Sequence, residues 1–194
     1  AVIKNNNAFG IGGGIYFHYS YAVLDHVIIS NNIITSDCNG CGFGGGIFIY
    51  NSDPILNHNT IVNNSASEHT EITFDNSSPV IINSIIYNEN SNTAPIGLYD
   101  TNVESNPNII YSNLEDAQNY SITNIATDPL FINSENGDFS LLPNSPCIDS
   151  GSPHNIWNYD IDGSRTEKMV ELTNSDMELS GDVNSTIEVY DRLE

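Results

Sequence analysis

Cations are the scarcest feature of this chain. Its 194 residues hold 4 Lys and Arg against 25 Asp and Glu, a net charge of −21. A surface of that sign repels nucleic acid phosphates and anionic lipid, so neither is expected as a partner. It suits neutral sugars, divalent cations or solubility in salt. Long apolar runs are also lacking: none approaches the roughly 20 residues a membrane-spanning helix needs, so membrane insertion is not expected. The residues Ala1-Val2-Ile3-Lys4 lead directly into a repeat with no signal-peptide pattern. The chain therefore reads as part of something longer. Cysteine is sparse, at three. Cys38 and Cys41 flank Asn39-Gly40, but no second CxxC and no HxxxH accompanies them, which removes a zinc finger. A local disulfide or two inert thiols remain open there, and Cys147 reads as a small core residue. Disorder is excluded by a hydrophobic share of 39%.

What the chain has instead is self-similarity. Gly12-Gly13-Gly14-Ile15-Tyr16-Phe17 returns 32 residues later as Gly44-Gly45-Gly46-Ile47-Phe48-Ile49. Ser52-Asp53-Pro54-Ile55 returns 25 residues later as Ser77-Ser78-Pro79-Val80, and Thr60-Ile61-Val62-Asn63 becomes Ile85-Ile86-Tyr87-Asn88 by the same shift. The unit is close to 25 residues, with a seven-residue insertion in one copy, placed at residues 35–41. Helical repeats do not fit units rich in β-branched residues, Gly and Asn. Leucine-rich repeats would need regularly spaced leucines. Each unit holds two or three short strands between Asn, Gly, Ser and Pro turns.

Alternation gives the facing. Ile15, Ile47, Ile72 and Ile96 align, as do Phe17, Ile49, Phe74 and Leu98, and both rows are expected to point inward. Ile29, Ile61 and Ile86 form a second ladder. Asn at equivalent turns can hydrogen-bond along the stack and tolerates left-handed backbone angles. The expected fold is all-β: a right-handed parallel β-helix, or solenoid, with an irregular C-terminal capping segment.

From about residue 105 the period dissolves into Pro- and Gly-punctuated segments. Asn83-Ser-Ile-Ile-Tyr-Asn88, Tyr111-Ser-Asn-Leu114, Asp128-Pro-Leu-Phe-Ile132, Gly137-Asp-Phe-Ser-Leu141, Ser145-Pro-Cys-Ile-Asp149 and Asp160-Ile-Asp-Gly-Ser-Arg165 follow in order. This series resembles the bacterial secreted right-handed parallel β-helix repeat proteins common in Bacteroidetes and related phyla, over residues 5 to 165. It departs at Asp176-Met-Glu-Leu-Ser180, where the family's closing motif is expected. The resemblance implies an extracellular or cell-surface location and leaves the chemistry unassigned. The expected organisation is β-helix coils over 1–105, with further coils upstream. The last coil and cap follow over 106–165, and an acidic tail or the start of a following segment over 166–194.

Several polysaccharide lyases and hydrolases use this fold. A lyase needs Arg or Lys, yet the basic residues are only Lys4, Arg165, Lys168 and Arg192. A hydrolase needs clustered carboxylates. The outward positions of the best-defined strand read Tyr16, Phe48, Thr73 and Gly97, then His18, Tyr50, Asp75 and Tyr99. They supply one carboxylate, Asp75, so no catalytic residue is assigned. The same positions supply an aromatic patch, with neighbours about 4.8 Å apart along the stack. Tyr16, His18, Phe48, Tyr50, Asp75 and Tyr99 are the expected ligand-binding residues. Such rings stack on sugars, and tyrosines also fit ordinary sheet surfaces.

His26 and His58 align at one turn and should lie one above the other, as a metal pair or as turn histidines. Asp160 and Asp162, followed by Gly163, can chelate calcium or close an Asx-turn. Calcium is the cofactor these residues point to. The expected function is a non-catalytic extracellular or cell-surface module that binds a neutral polysaccharide or a surface protein through its flat faces. The alternatives are a fragment of a carbohydrate-active lyase or hydrolase, and a structural protein that self-associates end to end.

Overall fold

The computed structural model describes residues 1–35, 42–89 and 94–153. The chain opens with β1 (Val2–Lys4) and β2 (Asn7–Phe9). The next turn holds β3 (Ile15–His18), β4 (Val23–Asp25), β5 (Ile28–Ser30) and β6 (Ile33–Thr35). Two turns of three strands follow: β7 (Ile47–Tyr50), β8 (Ile55–Asn57) and β9 (Thr60–Val62), then β10 (Ile72–Asp75), β11 (Val80–Ile82) and β12 (Ile85–Tyr87). A fourth holds β13 (Ile96–Leu98), β14 (Asn108–Ile110) and β15 (Asn113–Leu114), and the cap adds β16 (Phe131–Asn133) and β17 (Asp138–Leu141).

Equivalent strands stack as parallel sheets, making a β-solenoid. The first face has the order β13-β10-β7-β3, the second β14-β11-β8-β4, and the third β1-β5-β9-β12-β15. Register follows the sequence repeat residue for residue. Ile15 pairs with Ile47, Ile47 with Ile72 and Ile72 with Ile96, while Ile29, Ile61 and Ile86 pair in line and continue to Ile3 and Leu114. The second face adds Leu24, Leu56, Ile81 and Ile109. These three columns meet in one core, in which Ile29, Ile47, Leu56, Ile61, Ile72, Ile81 and Ile86 are wholly buried. Each such side chain contributes about 1.5–3 kcal/mol.

Strands of three or four residues need sharp corners, and one device makes all three. A residue in the left-handed region follows most of these strands: Tyr19, Asn51 and Asn76 after the first face; His26, His58, Asn83 and Tyr111 after the second; Asn5, Asn31 and Asn63 after the third. Asn accepts that conformation more readily than most residues, which accounts for its abundance. The next residue carries a hydrogen bond to the adjacent coil. Ser20 N donates to Ser52 Oγ (2.9 Å), Ser52 N to Ser77 Oγ (3.1 Å) and Ser77 N to Ser105 Oγ (3.1 Å). At the second corner Val27 N donates to Asn59 Oδ1, Asn59 N to Ser84 Oγ and Ser84 N to Ser112 Oγ.

At the third corner, Asn6 donates through its backbone and side chain to Asn32 Oδ1 (3.1 and 2.9 Å), and Asn32 does the same to Asn64 Oδ1 (both 2.9 Å). This ladder explains the last glycine of each Gly-Gly-Gly run. A Cβ on Gly14 or Gly46 would lie 2.9 Å from the Nδ2 of Asn32 or Asn64. In the following coil the glycine position holds Glu71, and its fully buried carboxylate ends the ladder. It accepts from Asn64 N (3.1 Å), Asn64 Nδ2 and Asn88 Nδ2 (2.7 Å). Burial pushes Glu71 up to about 8, against the pull of these three donors.

The cap does more than follow the last coil. β16 and β17 pair antiparallel, and Phe139 and Cys147 pack with Val62 and Ile85, on the outer side of the third face, in a second small core. Cys147 is wholly buried, the small core residue its sequence context suggests.

Candidate functional site

The outer side of the first face is where β3, β7, β10 and β13 bring unlike residues together. Tyr16, Phe48, Thr73 and Gly97 form one row, and His18, Tyr50 and Asp75 the next. Tyr99 lies just past β13, its N–H donating to the Phe74 carbonyl (2.8 Å). The alternation that turns Ile15, Ile47 and Ile72 toward the core thus aims these side chains away from it.

They do not form one flat surface. Tyr16 is 44% exposed and His18 is also exposed, while Tyr50 is partly buried. Phe48 is 3% exposed and Asp75 9%. Residues outside the aligned strand cover Phe48. Phe43 and Tyr99 meet edge to face at 4.7 Å, and Tyr99 meets Phe48 the same way at 5.5 Å. The His69 ring lies against Gly97, where a Cβ would fall 2.1 Å from a ring atom, and His69 Nε2 is 3.2 Å from the Leu98 carbonyl. Phe48 is thus a prop beneath the aromatic surface, and Gly97 is the space into which His69 fits.

The accessible portion centres on His18. Its ring stacks on Tyr16 at 5.5 Å and 10° and on Tyr50 at 5.2 Å and 25°. Tyr19 joins at 4.5 Å, and Tyr16 rests edge-on against Phe48 at 5.8 Å. Tyr19 is 70% exposed. Sequence alternation passes it over because it is the left-handed corner residue after β3, outside the strand pattern. Burial, then Tyr50, Asp75 and Tyr19, raise the Tyr16 phenol above its ordinary range. These groups therefore share one electrostatic neighbourhood.

A second carboxylate enters that neighbourhood. Asp75 is raised by burial and then by Asp100, whereas Asp100 is lowered by the backbone and side-chain amides of Asn102, both 2.8 Å from its Oδ1. The repeat alone hides Asp100, which follows Tyr99 beyond the aligned strand. Lys4 is the only Lys or Arg among the described residues, and it lies on β1 of the third face. Asp160 and Asp162, the calcium candidates, lie outside the described residues. His26 and His58 do stack, at 4.9 Å and 4°.

No family model matches this chain, and comparisons with curated proteins and with solved structures find no match to it either.

Proposed function

We propose that this β-solenoid is a non-catalytic carbohydrate-binding module of a secreted or cell-surface protein, of the kind its sequence resembles, and that a neutral glycan lies across Tyr16, Tyr19 and Tyr50. The observation that carries the reading is the stack of Tyr16, His18 and Tyr50, held from beneath by buried Phe48. Rings locked by packing offer apolar area with little rotamer entropy left to lose on binding. The absence of a cation on this face among the described residues, together with the net charge of −21, favours a neutral sugar over a uronate. Nothing in this reading depends on calcium.

A glycan array followed by calorimetry tests it. Binding of neutral polysaccharide, weakened at least tenfold by Tyr16→Ala or Tyr19→Ala, is the expected result. Equal binding by wild type and both variants would refute it.

A second, hydrolytic reading has one observation in its favour. Asp75 and Asp100 bring two carboxylates into one neighbourhood, and a glycoside hydrolase works with such a pair. New reducing ends released from a bound polysaccharide, and lost in Asp75→Asn, would replace the binding module with an enzyme.

A further inference from the structure

The corner between the second and third faces carries a group of side chains that the aromatic site does not use. Asp25 is the last residue of β4, His26 is the left-handed corner residue after it, and His58 is the same corner one coil on. One donor atom from each lies within 4.8 Å of the other two. Among the described residues this is the group of three His, Cys, Asp or Glu side chains close enough to share an ion. We propose that Asp25, His26 and His58 form a site for one first-row divalent transition-metal ion, best matched by zinc.

The donor set decides the class of ion. Two imidazole nitrogens and a carboxylate oxygen suit zinc, cobalt(II) or nickel(II), whereas calcium and magnesium take oxygen ligands. Three protein ligands leave a fourth tetrahedral position for water. His58 is 1% exposed, so an ion held there would sit against the stack with little water around it. Asp25 comes with an orienting partner: Asn57 Nδ2 donates to its Oδ1 at 2.7 Å, while its Oδ2 pairs with His26 Nδ1 at 2.8 Å, a contact that a shared ion would replace. Outer contacts of that kind fix the direction of a ligating carboxylate. The site is reached through the side chains of His26 and Asp25, which are 18% and 25% exposed.

Binding requires a local adjustment. The two imidazoles are parallel to within 4°, and their in-plane lone pairs converge on one ion only after a ring turns about χ2. Donors around zinc sit about 3–3.5 Å apart, so the 4.8 Å group also contracts. Both are side-chain motions and leave the corner backbone as it stands. The next coils carry Asn83 and Tyr111 at this corner, which limits the column to one ion.

Cobalt(II) titration of the full chain, read by visible absorption, tests the proposal without any activity assay. Ligand-field bands saturating at one equivalent, and displaced by zinc, are expected. His26→Asn and His58→Asn suit the corner, because Asn83 already occupies it in the following coil. Each should weaken binding at least tenfold while the melting profile stays cooperative. His69→Asn, a left-handed position on another edge, should leave the titration unchanged. Absence of bands in the wild type, or bands that persist in both corner variants, would overturn the assignment. Should either variant fail to fold, Asp25→Asn carries the same expectation at a partly exposed position.

Discussion

The coils and the cap are stabilised in different ways. In the coils every strand leans on a near-identical neighbour, and isoleucine columns, left-handed corners and side-chain ladders recur at fixed positions. In the cap nothing recurs: an antiparallel pair, two single turns of 3-10 helix and the Ser145-Pro146-Cys147 turn are each held by particular contacts. Ser145 Oγ donates to the Pro129 carbonyl, Asn113 Nδ2 to Cys147 Sγ (3.2 Å), and Ser152 N to Asn83 Oδ1 (2.8 Å). The last of these spans 69 residues of sequence. Coil contacts join each turn to the next, so in isolation they allow fraying from an end. Contacts from the cap to the side of the stack tie residues far apart in sequence into one cooperative unit.

The comparison can be broken most severely at Phe139. Phe139→Ala should cost about 3–5 kcal/mol and, if the cap is what couples the coils, should split one denaturation transition into two. A single transition shifted to lower denaturant would show that the coils cooperate without it. Next in size is Asn64→Ala, which strips the ladder of a buried donor and acceptor and leaves Asn32 and Glu71 short of partners; a loss of about 2–4 kcal/mol is expected by urea denaturation.

Glu71 supplies the coils with a pH dependence. Its folded value of about 8 lies above the ordinary 4.5. Between those values the unfolded chain has released a proton that the folded chain keeps, so this group makes stability fall as pH rises from 4.5 toward 8. The slope has an upper limit of about 1.4 kcal/mol per pH unit. Glu71→Gln should flatten that part of the profile, and an unchanged slope would remove Glu71 as its source. Smallest is Tyr16→Ala, expected to change stability by less than about 1 kcal/mol, so that any loss of glycan binding reads as a surface effect.

The coil core was open to sequence reading because alternation and the 25- and 32-residue shifts fix both facing and register, except at Leu98, which is expected inside and is 36% exposed on the last strand of its face. The same shift placed His26 over His58. The site was less legible. Phe48 and Thr73 point outward as alternation requires, yet both are buried, because Phe43, His69 and Tyr99 approach from outside the aligned strand. Glu71 escaped notice for a related reason: it stands in the glycine column but does the work of an asparagine from another corner. The sideways packing of Phe139 and Cys147 had no period to announce it.

The three corners carry a further consequence. Ile72 and Ile96 are 24 residues apart, while Ile85 and Asn113 are 28 apart, yet both pairs are in register. The extra residues fall between β13 and β14, and alignment resumes at the next corner without error. Because each corner re-establishes alignment independently, the connection after β13 is a natural insertion point. A foreign peptide spliced there should be displayed on the outside of the stack while the coils on either side keep their partners.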